Sequence, residues 1–268
     1  MRFSNLHTHT VFSDGKGSVR ENIESAIAKN MTSLGFSDHS FTACDTSYCM
    51  KLENYKNYRK LLSEMKEEYK DRLPIFTGIE KDYYSDIDSS EFDYVLASVH
   101  YIVDKSGECY PIDHSPEQQK QCFAEVFCGR KLDFAKRYYD MVTEQVIKCK
   151  PDVVGHFDVI NKFSLMPEED IRYMEIAEES AREILKTCKV FEVNTGGIAR
   201  GWRKTPYPAP NILDLILSLG GEIAINSDSH HPENLDFFFP ESVEILKSHG
   251  FDHIVEFTGS GFKKVYFD

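Results

Sequence analysis

His7-Thr8-His9, followed by Asp14, opens a series of imidazoles and carboxylates placed at the ends of short apolar runs. Asp38-His39, Glu80, His100, His156 and Asp228-Ser229-His230 continue it. Each position alone has an ordinary explanation, such as a polar turn, a cap, a surface ion pair or a satisfied core histidine. Together they call for a fold that ends many strands on one face. A carboxylate or imidazole beside apolar residues is costly to bury without a partner. A cluster of divalent cations is a partner that all of them can share.

The spacing supports this reading. His7 and His9 are two residues apart, so a strand presents both on one side. Asp228 and His230 repeat the pattern, and Asp14 can bend back toward a second ion. Glu80 closes Gly78-Ile79-Glu80 and suits a carboxylate that bridges two ions. In Asp38-His39 the imidazole is the expected ligand and Asp38 the group that orients an imidazole. The metal-ligand set is therefore His7, His9, Asp14, His39, Glu80, His100, His156, Asp228 and His230. Nine such residues suffice for three divalent ions. Nitrogen and carboxylate donors without thiolates suit Zn, Mn or Fe.

Strands are expected at residues 3–9, 34–37, 75–80, 94–100, 153–156, 190–194 and 222–226, with 253–257 as an eighth strand or an edge segment. Helical patterns fill 22–31, 52–69, 167–187, the stretch from 210 toward Gly220-Gly221, and 243–249. A long helix is expected from Pro116 toward Lys150, after an inserted loop region at 104–119. Seven or eight βα units without a linker predict an α/β fold with one barrel domain over 1–268. Its polar strand ends gather at the C-terminal face. A doubly wound sheet is the alternative, but it collects its ligands at a single crevice.

Composition narrows the partners. A formal charge of −13 argues against nucleic acid or an anionic membrane, both of which reward basic patches. No apolar run approaches the ~18 residues of a membrane span. The seven cysteines include no CxxC pair, and no basic, apolar leader precedes His7. Free thiols in a reducing cytoplasm are expected.

In this order the metal-ligand residues resemble the PHP (polymerase and histidinol phosphatase) superfamily of metal-dependent phosphoesterases. The match runs from His7 to His230. It implies a distorted (β/α)7 TIM-like barrel with a trinuclear centre. Ser98-Val99-His100, Gly155-His156-Phe157-Asp158 and residues 192–201 look most like the stand-alone histidinol-phosphate phosphatases of that superfamily. Many members carry histidine where Asp14 stands, whereas phosphatase-like members often have the aspartate. The resemblance implies one ion on His7, His9, Glu80 and Asp228, a second on Glu80, His100 and His156, and a third on Asp14, His39 and His230. A hydroxide between the first two would attack L-histidinol phosphate, a small phosphate monoester, to give L-histidinol and phosphate. A PHP-type phosphodiesterase or nucleotide phosphoesterase is the alternative.

Glu80, His100, Asp228, His230 and Arg200 form the expected catalytic set, with Asp228 or His230 as proton relay. Arg200 is the expected phosphate clamp, because Asn194-Thr195-Gly196-Gly197 leads into it. Lys162 and Ser229 are further phosphate contacts, and Trp202 and Tyr101 suit the histidinol end. Glu108, Asp113 and His114 are candidates for a lid. Phe237-Phe238-Phe239 reads as a covered patch that a homodimer could use.

Overall fold

A strand covered on both faces sends alternate side chains into two different cores. The computed structural model describes residues 1–268 and shows this division. Its strands are β1 (Ser4–Asn5), β2 (Ser33–Phe36), β3 (Ile75–Asp82), β4 (Tyr94–Ser98), β5 (Tyr101–Val103), β6 (Cys109–Pro111), β7 (Val153–Val154), β8 (Val190–Asn194), β9 (Glu222–Asn226), β10 (His253–Phe257) and β11 (Phe262–Tyr266). The order β1-β2-β3-β4-β7-β8-β9 forms one seven-stranded sheet whose pairings are all parallel.

The first and last strands of that sheet meet just past their ends. Thr8 and Ser229 form a parallel bridge. There the His9 N–H donates to the Ser229 carbonyl at 2.9 Å, and the Ser229 N–H donates to the His7 carbonyl at 3.1 Å. This closure makes a distorted TIM-like barrel and excludes the doubly wound alternative.

Val95 and Ala97 on β4, Phe191 and Val193 on β8, and Ile223 and Ile225 on β9 join an outer core of 53 buried residues. The intervening Tyr94, Leu96, Val190 and Ala224 join Leu6 and Val153 in a small inner core. Farther along β3 and β8, the inward positions change to Glu80 and Glu192, both buried. The barrel interior is thus apolar at the strand starts and polar at the strand ends.

The helices are α1 (Val19–Ala28), α2 (Tyr55–Tyr69), α3 (Pro116–Glu125), α4 (Lys131–Cys149), α5 (Ile171–Ile184), α6 (Gly196–Ala199), α7 (Pro210–Ser218) and α8 (Phe239–Ser248). Local chemistry sets several starts. Ser18 and Glu21 form a reciprocal capping box on α1. Ser115 caps α3 ahead of Pro116, and Asp170 caps α5. No helix is long and apolar enough to cross a membrane.

Three expectations change. The long helix from Pro116 to Lys150 is broken after α3, where Cys128 and Gly129 adopt positive φ values of 53° and 77°. The strand expected at 253–257 is present as β10, but it lies outside the seven-stranded sheet and pairs antiparallel with β11. Its Val255 and Phe257 enter the inner core, with the Phe257 ring 5.0 Å from Phe76 and 5.6 Å from Tyr94. The cysteines are not all free: Cys44 and Cys109 form a disulfide, with Cα atoms 5.5 Å apart. These residues are 65 apart in sequence and meet only because the loop after β2 reaches β6.

Tyr94 shows how tightly the interior is filled. Its hydroxyl donates to the Leu6 carbonyl across the barrel. A Cβ at Gly78 would fall onto the Tyr94 ring, and one at Gly35 onto its hydroxyl. Gly78→Ala should therefore destabilise the fold by ~1–3 kcal/mol, the usual cost of overpacking. A chemical-denaturation midpoint equal to that of the unchanged protein would contradict this packing.

Candidate metal centre

The loop after β1 is shaped by a single carboxylate. Asp38 accepts hydrogen bonds from the Thr10 and Ser13 N–H groups at 2.8 and 3.1 Å, and from the Ser13 hydroxyl at 2.6 Å. The Thr10 hydroxyl adds a fourth donor at 2.9 Å. Asp38 thus folds residues 10–14 back over the barrel mouth and brings Asp14 to the site. It does not orient an imidazole, as the sequence had suggested, because the donors it accepts from all belong to that turn.

Three imidazoles are oriented by groups that can only accept. His7 Nδ1 lies 3.0 Å from Glu192 Oε2, His100 Nδ1 3.1 Å from Asp82 Oδ2, and His230 Nδ1 3.0 Å from the Asp228 carbonyl. The Nδ1 atom must carry the proton in the His7 and His100 pairs, which leaves Nε2 as the free donor to a cation; His230 Nδ1 also lies 3.3 Å from the Arg200 guanidinium, which can only donate. Asp228 itself adopts a left-handed backbone, φ 49°, a region that aspartate tolerates better than most residues. That turn places its carboxylate and the following His230 at the same mouth.

The donor atoms then converge. His9, Asp14, His39 and His230 form one group, and His7, Glu80 and His156 a second. His7, His9 and Asp228 form a third, and His39, Glu80 and His100 a fourth. Within each group the ligand atoms lie within 4.8 Å of one another. All nine residues selected from the sequence fall in these groups. The partition differs in detail from the expected one: His100 and His156 sit in separate groups, each with Glu80, and His9 also joins the Asp14 group.

The polar accounting fits cations. His7 Nε2, both ring nitrogens of His9, Asp14 Oδ1, Glu80 Oε2 and His156 Nδ1 are buried without hydrogen-bond partners. Such atoms are costly to bury unless something else satisfies them. Burial alone would raise the Glu80 carboxyl, but His39, His7 and His100 hold it well below the usual carboxylate range. Burial works against a charged His7, yet Glu192, Glu80 and Asp228 lift it well above an ordinary imidazole. His9 moves oppositely: burial, with His230 and His39 nearby, pushes it down to about 3. Imidazoles that compete for the same carboxylates can all turn neutral when cations replace their protons.

Above these groups lies a cavity of about 330 Å³. Arg200, Lys162 and Trp202 line it, as do Tyr48, Asp113 and His114. Arg200 donates to Asp228 Oδ2 at 2.7 Å and to the Asp228 carbonyl at 3.2 Å. The other two expected substrate contacts lie elsewhere. Tyr101 is stacked behind Tyr48, ring centroids 6.2 Å apart, and its hydroxyl is 3.2 Å from His114 Nε2. The Ser229 hydroxyl donates to the His231 carbonyl at 2.6 Å and serves its own turn. Of the lid candidates, Asp113 and His114 reach the cavity, whereas Glu108 is exposed in the hairpin between β5 and β6.

Sequence reasoning missed Glu192 and Asp82. Glu192 accepts from His7, from the His156 N–H at 2.6 Å, and from the Asn194 and Asn226 side chains at 2.8 and 2.9 Å. Its signal was available: a glutamate between Phe191 and Val193 is as anomalous as Glu80 between its neighbours. Tyr48 had no comparable signal, since it sits in an irregular loop.

Residues 5–196 match the model of the PHP domain family. The chain is 24% identical to a protein of Schizosaccharomyces pombe described as a probable histidinol-phosphatase, over 87% of this chain and 81% of that one. It shares its fold with a structure from Listeria monocytogenes (TM-score 0.78, 21% identity, 89% of this chain and 99% of that chain). A Lactococcus lactis histidinol phosphate phosphatase complexed with Zn, L-histidinol and phosphate is also similar (TM-score 0.71, 22% identity, 98% of this chain and 99% of that chain).

Two outcomes are expected of this geometry. Zn or Mn at 100-fold above its dissociation constant should stabilise the fold by roughly 2.7 kcal/mol per site, and chelator should reverse the shift in thermal midpoint. Glu192→Gln should weaken metal affinity by ~10–100-fold, the usual cost of losing a group that orients a ligand. Competition titration against a chromophoric chelator measures it; an unchanged affinity would remove Glu192 from the site.

Proposed function

Because the chain belongs to the PHP domain family, we propose that it is a metal-dependent phosphomonoesterase that hydrolyses L-histidinol phosphate to L-histidinol and phosphate, working as one domain over residues 1–268. The observation that carries this reading is the convergence of nine donor residues beneath a small cavity that also holds Arg200 and Lys162. The names of the relatives point to the same substrate. The acidic charge of −13 weighs against a nuclease acting on long nucleic acid.

His7, His9, Asp14, His39, Glu80, His100, His156, Asp228 and His230 would hold three divalent ions, Zn, Mn or Fe. Bound there, such cations would lower the pKa of water and offset charge on a phosphate ester. Glu80 belongs to two of the four donor groups and joins them as a shared carboxylate. Glu192 and Asp82 keep His7 and His100 in the tautomer whose Nε2 can ligate. Arg200 is held at the cavity by Asp228, so its planar fork is positioned before phosphate arrives. Lys162 adds a second cation. Its ammonium lies 3.1 Å from Asp113 Oδ2, and its side chain is almost wholly buried. The Trp202 ring packs edge-on against Phe163 at 5.0 Å and borders the cavity.

Metal-loaded protein should release inorganic phosphate from L-histidinol phosphate far faster than it cleaves bis(p-nitrophenyl) phosphate. Preference for the diester would favour the phosphodiesterase alternative. Glu80→Gln should lower kcat by more than the ~100-fold typical of groups behind the ligands, with circular dichroism unchanged. Full activity in that variant at verified metal content would defeat the proposal.

A further inference from the structure

We propose that Cys44 and Cys109 form a reversible oxidation site, opened by small-molecule thiols and closed by small-molecule disulfides, whose state sets how firmly the loop bearing Tyr48 is held against the cavity. The kinetic part of the inference rests on the phosphomonoesterase reading; the redox part does not.

The disulfide joins two segments that are anchored very differently. Cys109 starts β6, which pairs with β5 through Tyr101–Pro111, Ile102–Tyr110 and Val103–Cys109. The Ile112 N–H extends that attachment, donating to the His100 carbonyl at 3.0 Å. Cys44 lies in the loop between β2 and α2. The ends of that loop are fixed, since the Ser40 N–H donates to the Glu80 carbonyl and the Met50 N–H to the His39 carbonyl, each at 2.9 Å. Between them, residues 41–49 take part in no hydrogen bond between backbone groups. The side-chain hydrogen bonds of residues 42–49 stay within the loop, apart from one of 3.5 Å from the Tyr101 hydroxyl to Asp45 Oδ2. The covalent bond to Cys109 is thus the loop's chief tie to the barrel. A segment with so few backbone ties opens easily, and a cross-link removes the freedom it would otherwise have.

What the loop carries gives this tie its effect. Tyr48 lines the cavity. Its ring stands edge-on to His39 at 4.8 Å and to His114 at 5.7 Å, and it stacks on Tyr101 at 6.2 Å. Freed from Cys109, the loop would keep that ring in place by packing alone. His39 would stay where it is, because the bonds at Ser40 and Met50 do not involve the disulfide.

Access and chemistry single out this pair. Both cysteines are half-buried, between exposed Ala43, Thr46 and Ser47 on one segment and exposed residues 105–108 on the other. Cys49, Cys122 and Cys188 are buried. Burial pushes the Cys122 and Cys188 thiols up to about 12 and that of Cys149 up to about 11, so they form little attacking thiolate at neutral pH. Opening proceeds by exchange. A small thiolate attacks one Sγ, forming a mixed disulfide and releasing the other cysteine. A second small thiol then displaces the first cysteine. Two small thiols become one small disulfide, and the protein gains two electrons and two protons as two thiols. Closure is the reverse.

The test uses Mn-loaded protein, because thiols hold Mn weakly. It is equilibrated in mixtures of reduced and oxidised glutathione, alkylated, and read by mass spectrometry. Cys44 and Cys109 should titrate together while the circular dichroism stays native. A disulfide that opens only in denaturant, or one that never forms, overturns the proposal. Limited proteolysis should cut the reduced protein within residues 41–49 at least ~10-fold faster, and equal resistance in both states overturns it. Reduction should raise KM for L-histidinol phosphate by about 2–10-fold, the cost of ordering one side chain, with kcat and metal content nearly constant. An equal KM in both states overturns the link to the cavity. Cys44→Ser combined with Cys109→Ser should keep the reduced-state KM in every buffer. A KM that still follows the buffer assigns the effect to another thiol, such as the exposed Cys128, and overturns the assignment. If that variant does not fold, the titration of the unchanged chain decides. Phosphate release in neither state defeats the functional reading, and the thiol titration and proteolysis then judge the oxidation site alone.

Discussion

An imidazole ligates only through the nitrogen that carries no proton, so whatever holds the other nitrogen determines the site. Here those tethers are parts of the barrel itself. Glu192 projects from β8, Asp82 ends β3, and the Asp228 carbonyl follows β9. Glu192 also accepts from the His156 N–H just past β7 and from Asn226 on β9. One buried carboxylate thus ties the ends of four neighbouring strands to the tautomer of His7. Strand register and ligand chemistry are consequently one problem. A slip of one residue in β8 would turn Glu192 outward among the helices and bring Phe191 or Val193 into the donor cluster.

The cost of gathering these groups is borne by the outer core. The donor cluster contains like charges and unpartnered atoms that oppose folding in the absence of cations. The 53-residue outer core lies on the other face of the same strands and is untouched by that conflict. The separation explains how a polar mouth coexists with a stable sheet: each strand alternates between a face that stabilises and a face that performs chemistry.

Much of this was legible in the sequence because anomalies in apolar runs are easy to see. Glu80, His100 and His156 stand out against Ile79, Val99 and Val154, and the nine donors picked on that basis are brought together in space. Six of the seven barrel strands were placed to within three residues, because the runs are bounded by turn residues. β1 is shorter than expected, Ser4–Asn5 rather than residues 3–9, since closure past it relies on a bridge at Thr8. What remained hidden depends on contacts between distant segments. Nothing local marks Cys44 and Cys109 as partners, and nothing in Tyr48 distinguishes it from a surface tyrosine. Asp38 was assigned the wrong partner because sequence proximity to His39 suggested an imidazole, whereas its donors come from the loop after β1. Tyr101 adjoins His100, yet neighbouring residues in an extended segment face opposite ways, so it was carried behind the cavity wall.

The hairpin of β10 and β11 has a temporal consequence. Its Val255 and Phe257 complete the inner core begun by Leu6, and Ser229 closes the edge left open beside Thr8. During synthesis, β1 leaves the ribosome more than two hundred residues before either partner exists. The nascent sheet must wait with one flank unpaired and its floor unfilled. Contacts of such long sequence separation are slow to form, and an unpaired parallel edge invites association with other chains. Closure of the barrel is therefore a late step that waits on the segments after β9.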